Sequence, residues 1–323
     1  MSNIADKLQT LQNIKSDIKT SILNKGIEVG DDFTTYADAI DSIEGGVFVV
    51  PNGMKFKDST ISTIPDNFDF SEVTDASGIF NGCMYLEYIP EFTNSIIKCE
   101  SMFQNCYRIK NVTTLNTISV SNFNYMYYMC QSVTDFPEID TSNGLTFSNM
   151  YGNCYLLEYV PPLITEKATD ITGMFTNCKI LKVFPSIITS NVNKMGGLIN
   201  NCKLLTSLPK LDCGNVTSTT PILDGNTETL TNLTDLGGFE NLKVSWGNYF
   251  LSRTPNLTVD SLMNVINGLW DWTDYPDGKA PLNNGTIYSF GTTHKLKFGQ
   301  TNLDKLSDEQ IAVATAKGWT LTA

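Results

Sequence analysis

Histidine is almost missing from this chain of 323 residues: His294 is the only one. A cysteine or serine nucleophile therefore lacks the usual nearby base. Positive charge is also short, with 22 Lys and Arg against 34 Asp and Glu and a formal net charge of -12. Such a balance repels a phosphate backbone or an anionic membrane, so nucleic acid is not an expected partner. No apolar run approaches the ~18 residues of a membrane span, and membrane insertion is not expected. The opening "MSNIADKLQTLQNIKSDIK" scatters Asp6, Lys7, Lys15, Asp17 and Lys19 where a signal peptide needs an unbroken apolar segment, which predicts a chain left in the cytosol where it is made. Phosphate loops, dinucleotide fingerprints, H-E-x-x-H and G-x-S-x-G are absent, as are C-x-x-C pairs. The expectation is a protein that is not an enzyme, with no catalytic residue, cofactor or metal.

What the sequence does have is a period. Cys83, Cys106, Cys130, Cys154, Cys178 and Cys202 follow one another at 23, 24, 24, 24 and 24 residues. Fixed offsets from these cysteines are apolar. Four before stand Ile79, Met102, Met126, Met150, Met174 and Leu198, and three after stand Leu86, Ile109, Val133, Leu157, Leu181 and Leu205. Aromatic or large residues fill the position three before, and the positions seven before, six after and nine after are also apolar. One such set per unit, buried against the next, predicts an α/β solenoid of about six 24-residue coils. In that setting the cysteines are small buried hydrophobes. Stacked side chains of one direction make poor disulfides, and His294 lies far outside the array.

The recurring methionine, aromatic, Asn-Cys, leucine and second apolar residue resemble the BspA-like leucine-rich repeat surface proteins over roughly residues 58 to 240. The resemblance implies a leucine-rich repeat solenoid and a role in binding. Pro90, Pro137, Pro161, Pro185 and Pro209 depart from that pattern, and a proline there predicts a short strand that stops near it.

Three segments are expected: a helical attachment or oligomerisation segment over 1–45, the repeats over 46–240, and an α/β cap over 241–323. In the first, Ile4, Leu8, Leu11, Ile14, Ile18 and Ile22 recur at helical spacing and a second helix follows "VGDD". This hairpin either caps the repeats or docks on a partner, with Ile4, Leu8, Leu11, Ile18 and Ile22 as the candidate assembly contact. "LNKGIEVGDDFTTYADAIDSI" (23–43) resembles the N-terminal segment of many predicted bacteriophage virion proteins, which implies attachment to other virion proteins, with a homotrimer as the analogous assembly. In the cap, Thr258 and Ser307 with Gln310 read as helix starts, Gly318 as a stop, and "HKLKFGQTNLDKL" as a strand and Asn turn. "DWTDYPDG" (271–278) reads as a solvated turn rather than a calcium loop, whose spacing it lacks.

Tyr85, Tyr88, Tyr107, Tyr125, Tyr128, Tyr155 and Tyr159 fall at outward offsets, where they serve recognition or fill gaps along a surface. Beside the inward residues of the short strand, Tyr88, Asn111, Asp135 and Tyr159 stand five after their cysteines, and Glu91 and Glu138 eight after. These six are the candidate ligand-binding residues, an acidic and aromatic face suited to a carbohydrate or a basic protein patch. The functional expectation is a non-enzymatic phage virion protein (fibre, tail or capsid-decorating) that binds a bacterial host surface. The alternatives are a bacterial BspA-like adhesin or interaction module, and a purely structural virion protein.

Overall fold

A computed structural model describes Lys19 and residues 47–57, 60–64, 68–223, 230–246 and 250–323. The helical hairpin read over 1–45, with its assembly contact at Ile4, Leu8, Leu11, Ile18 and Ile22, lies outside the described residues.

Each 24-residue unit lies beside the next in parallel register, with little regular strand or helix of its own. Pairing at the position eight before the cysteine runs Asn122 to Thr146, Thr146 to Asp170 and Asp170 to Lys194. From there to the cysteine the chain turns twice, and alternate amides divide the hydrogen-bonding work. In the third unit Phe123, Tyr125, Tyr127 and Met129 donate to Thr146, Ser148, Met150 and Gly152 of the next unit at 2.8–2.9 Å. Met126, Tyr128 and Cys130 donate to the carbonyls three residues back in their own unit. Every amide is thus satisfied without a helix or an extended strand. This path requires left-handed backbone one residue before each cysteine: Gly82, Asn105, Met129, Asn153, Asn177 and Asn201 have φ from 57° to 80°. Asn and Gly adopt that region most readily, which accounts for the recurring Asn-Cys pair.

One contiguous core runs from Val50 to Trp319. The residues seven, four and three before the cysteine, the cysteine itself and the residue three after are fully buried in all six units. Rings three before the cysteine stack from unit to unit, with Phe103–Tyr127 at 5.6 Å, Tyr127–Tyr151 at 5.7 Å and Tyr151–Phe175 at 5.8 Å between centroids. The hydroxyls of Tyr127 and Tyr151 are buried there without a hydrogen-bond partner, a local cost absent where the column carries Phe. The outer columns are looser than their pattern suggests: Val112, Ile139 and Ile187 pack against the core but are only partly buried. All eight cysteines are buried thiols. They do more than fill space, because Cys106, Cys130, Cys154, Cys178 and Cys202 donate Sγ–H to the aromatic residue's carbonyl in the preceding unit at 3.0–3.3 Å.

Strand β1 (Phe48–Val49) pairs in parallel with β2 (Phe68–Asp69) at the start of the described repeats, and parallel pairing continues across residue 240. Strand β3 (Ser207–Leu208) pairs with β5 (Asp235–Leu236), β4 (Leu211–Asp212) with β6 (Phe239–Glu240), and Leu242 with Leu269. Helix α1 (Val259–Asn267) starts at Thr258, whose hydroxyl accepts from Ser261 N, and buries Leu262, Val265 and Ile266. Strands β9 (His294–Lys297) and β10 (Trp319–Thr322) pair in parallel. Helix α3 (Asp308–Ala316) carries the Ser307–Gln310 capping box. Between β9 and α3 the expected Asn turn is a short helix, α2 (Gln300–Leu303), and buried Asn302 donates to the carbonyls of Leu251, Thr254 and Phe298. The hairpin of β7 (Lys279–Pro281) and β8 (Ile287–Ser289) reaches back so that Asn283 Nδ2 donates to Asp212 Oδ2 at 3.0 Å. His294 stacks on Trp272 at 3.9 Å inside the cap, and burial holds its pKa below the ordinary value.

Candidate functional site

The proline column divides the outward surface of five of the six units, the second carrying Thr113 instead. In the sixth unit β3 and β4 are two-residue strands with Pro209 and Lys210 between them, because proline donates no ladder hydrogen bond. Two separate hollows lie beside this column. One is walled by Phe68, Tyr88, Pro90 and Glu91, with a volume of about 530 Å³. The other is lined by Val183, Pro185, Ser186 and Pro209, with about 370 Å³.

The residues five after each cysteine stand on one bank of the proline column. Tyr88 pairs with Asn111, and Asp135 with Tyr159, as two separate parallel bridges. All four are exposed, and Tyr88 and Tyr159 each keep 51% of their surface, more than packing between units would leave. Glu91 and Glu138 are exposed eight after their cysteines, two units apart with Thr114 of the intervening unit between them. The six predicted residues therefore share one side of the molecule as two aromatic-polar pairs with flanking carboxylates. Asp135 is partly committed, since its Oδ1 accepts from Thr134 Oγ1 at 2.9 Å.

Other outward tyrosines are taken up by neighbouring side chains. Arg108 lies over the Tyr85 ring at 5.3 Å, Lys179 over Tyr155 at 4.3 Å, and Tyr125 meets Tyr128 edge-on at 5.4 Å. For these four the surface-filling role prevails. Lysines are likewise spent on neighbouring units, in Lys110–Glu87 at 2.6 Å and Lys182–Glu158 at 2.8 Å.

A further concavity lies where the repeats meet the cap, and the sequence reading missed it. This groove, about 620 Å³, runs between Lys210, Gly238, Glu240 and Asn241 on one side and Asn267, Trp270, Asp271, Asp274 and Tyr275 on the other. Two glycines in its lining let neighbouring segments pack backbone to backbone. A Cβ on Gly268 would fall 2.5 Å from Phe239 O, and one on Gly238 (φ 99°) 2.6 Å from Asn264 O. Behind it Lys243 is 1% exposed, with Nζ donating to Gly214 O at 3.1 Å and lying 4.1 Å from the Trp270 ring centre. Burial draws its pKa down to about 8 against the attraction of Asp212. The segment 271–278 is largely exposed, in keeping with a solvated turn: Asp271 accepts from Thr273 N and Oγ1, and Asp277 from Lys279 N, while Asp271 and Asp274 also line the groove. A run of Trp, Asp, Tyr and Asn was the available signal, obscured because the 24-residue period has lapsed there.

Among the described residues no cluster of His, Cys, Asp and Glu could hold a metal ion, and no helix is long and apolar enough to cross a membrane. Residues 52–160, which contain the first four of the six cysteines, match the model of a family described as "Mycoplasma protein of unknown function, DUF285". The match is consistent with a BspA-like repeat protein. No curated protein and no solved structure matches the chain.

Proposed function

We propose that this chain is a leucine-rich repeat solenoid acting as a non-enzymatic binding protein, carried on a phage particle and presenting the side that carries the proline column to a bacterial surface. The observation that carries the binding role is the pairing of Tyr88 with Asn111 and of Asp135 with Tyr159 on an exposed bank, with both rings half free of contacts. Rings stack on sugar faces or apolar side chains while amides and carboxylates hydrogen-bond beside them. The particle setting rests on the resemblance of residues 23–43 to phage virion segments, with Ile4, Leu8, Leu11, Ile18 and Ile22 as the contact to other virion proteins.

Mass spectrometry of density-purified phage particles tests the setting, with the chain expected at structural stoichiometry. Its absence from particles, with recovery in the bacterial fraction, favours the second reading. That reading is a bacterial BspA-like adhesin or interaction module, and the match to a Mycoplasma family speaks for it.

A further inference from the structure

We propose that the groove between the repeats and the cap is a saccharide site, with Trp270 and Tyr275 as the platform for a neutral pyranose ring and Asn267 and Asp274 as its hydroxyl partners. This goes beyond the exposed bank at Tyr88 and Tyr159 and does not depend on it.

Three observations converge. The first is a rigid aromatic platform. Trp270 is held by its own amide, which donates to Leu242 O at 3.0 Å, and by its carbonyl, which accepts from Trp319 Nε1 at 2.8 Å. Lys243 lies against one face at 4.1 Å and Tyr275 packs beside the ring at 5.6 Å, tilted by 46°. Both aromatic residues remain only partly buried, and both line the groove. A platform fixed before binding loses little entropy on contact.

The second is shape. Glycines at 238 and 268 let adjacent chain segments pack backbone against backbone, and the trough they line has a volume of about 620 Å³. That volume suits one or two sugar rings and falls within the range of small-molecule sites.

The third is charge and hydrogen bonding. Lys210 is paired with Glu240, Nζ to Oε1 2.9 Å, and the carboxylates of Asp271 and Asp274 are offset by Lys243 against the Trp270 ring and by Lys317 near Asp271, so no surplus charge is left to hold an ionic ligand. A neutral ring offers vicinal hydroxyls that Asp274 accepts from and that the exposed Asn267 amide can both donate to and accept from.

The test uses the full chain, 15N-labelled on its four tryptophans, with the Trp270 indole signal assigned by its disappearance in Trp270→Phe. Methyl glycosides of glucose, galactose, mannose and N-acetylglucosamine are titrated to about 50 mM, beside glucosamine and glucuronate, since single-ring binding is expected on the order of 1–10 mM. The expected result is a saturable shift of the Trp270 signal with at least one neutral glycoside and a weaker response to glucuronate, whose carboxylate would meet Asp274. Asn267→Trp, which fills the trough from an exposed position, and the double variant Asp274→Ala, Tyr275→Ala are expected to abolish the shift while the other three indole signals stay in place. No shift with any of the four neutral glycosides, a stronger response to glucuronate, or a shift that survives both variants would overturn the proposal. Isolated protein and sugars are used, so failure here leaves the exposed bank and the particle setting standing, and their failure leaves the groove standing.

Discussion

Cys178 shows what one residue per unit contributes. It is small enough to sit behind the Tyr151–Phe175 stack, and its Sγ–H satisfies Tyr151 O in the preceding unit at 3.2 Å. Burial raises the pKa of these thiols, that of Cys202 to about 12 and those of Cys106, Cys130 and Cys178 well above the ordinary 9.0. The sign of the consequence is definite. Folded thiols stay protonated while unfolded ones ionise, so stability is full below pH 9.0 and falls as pH rises through it, by about 1.4 kcal/mol per pH unit for each thiol concerned. Melting followed from about pH 7 to about pH 10.5 is expected to show a plateau and then a steep fall. A melting temperature unchanged across that interval would contradict the burial of the column.

At the scale of the element, the turn before each cysteine is held by a left-handed residue, and one unit breaks the habit. Met129 has φ 65° where the other five units carry Asn or Gly. Asn177 Nδ2 donates to Asn153 Oδ1 and Asn201 Nδ2 to Asn177 Oδ1, both at 2.7 Å, so an Asn at 129 would extend an existing amide ladder as well as relieve the backbone. Met129→Asn is therefore expected to raise stability by about 1 kcal/mol in denaturant melts; a loss of stability would show that the methionine side chain matters more than the turn. The inward columns were legible in the sequence because burial repeats on each 24-residue unit. The Asn before the cysteine was equally periodic, but a pattern of polarity does not report φ, and its role emerged only with the backbone path. The same holds for the thiols, since a buried column looks apolar whether or not each Sγ donates a hydrogen bond.

For the whole molecule, stability comes from contacts between successive units, so units should be removable but fractions of units should not. Deleting residues 131–154, which places Tyr155 directly after Cys130, is expected to leave a cooperatively melting protein, whereas deleting 131–142 should abolish the transition. Equal behaviour of the two deletions would contradict the repeat register. The exposed bank was readable because side chains alternate beside the inward columns, and Tyr88, Asn111, Asp135 and Tyr159 share it as expected. The groove at Trp270 was not, because it is assembled from segments 60 residues apart, Lys210 and Trp270, with no period to link them.

Binding of purified protein to envelopes of the bacterium whose culture yields the particles, compared between the natural chain and the triple variant Tyr88→Ala, Asp135→Ala, Tyr159→Ala, tests the recognition role most directly. These side chains are exposed, so the melting transition is expected to stay where it is while envelope binding falls at least about tenfold. Undiminished binding by the triple variant, with an unchanged melt, would contradict the assignment of this side of the molecule to recognition.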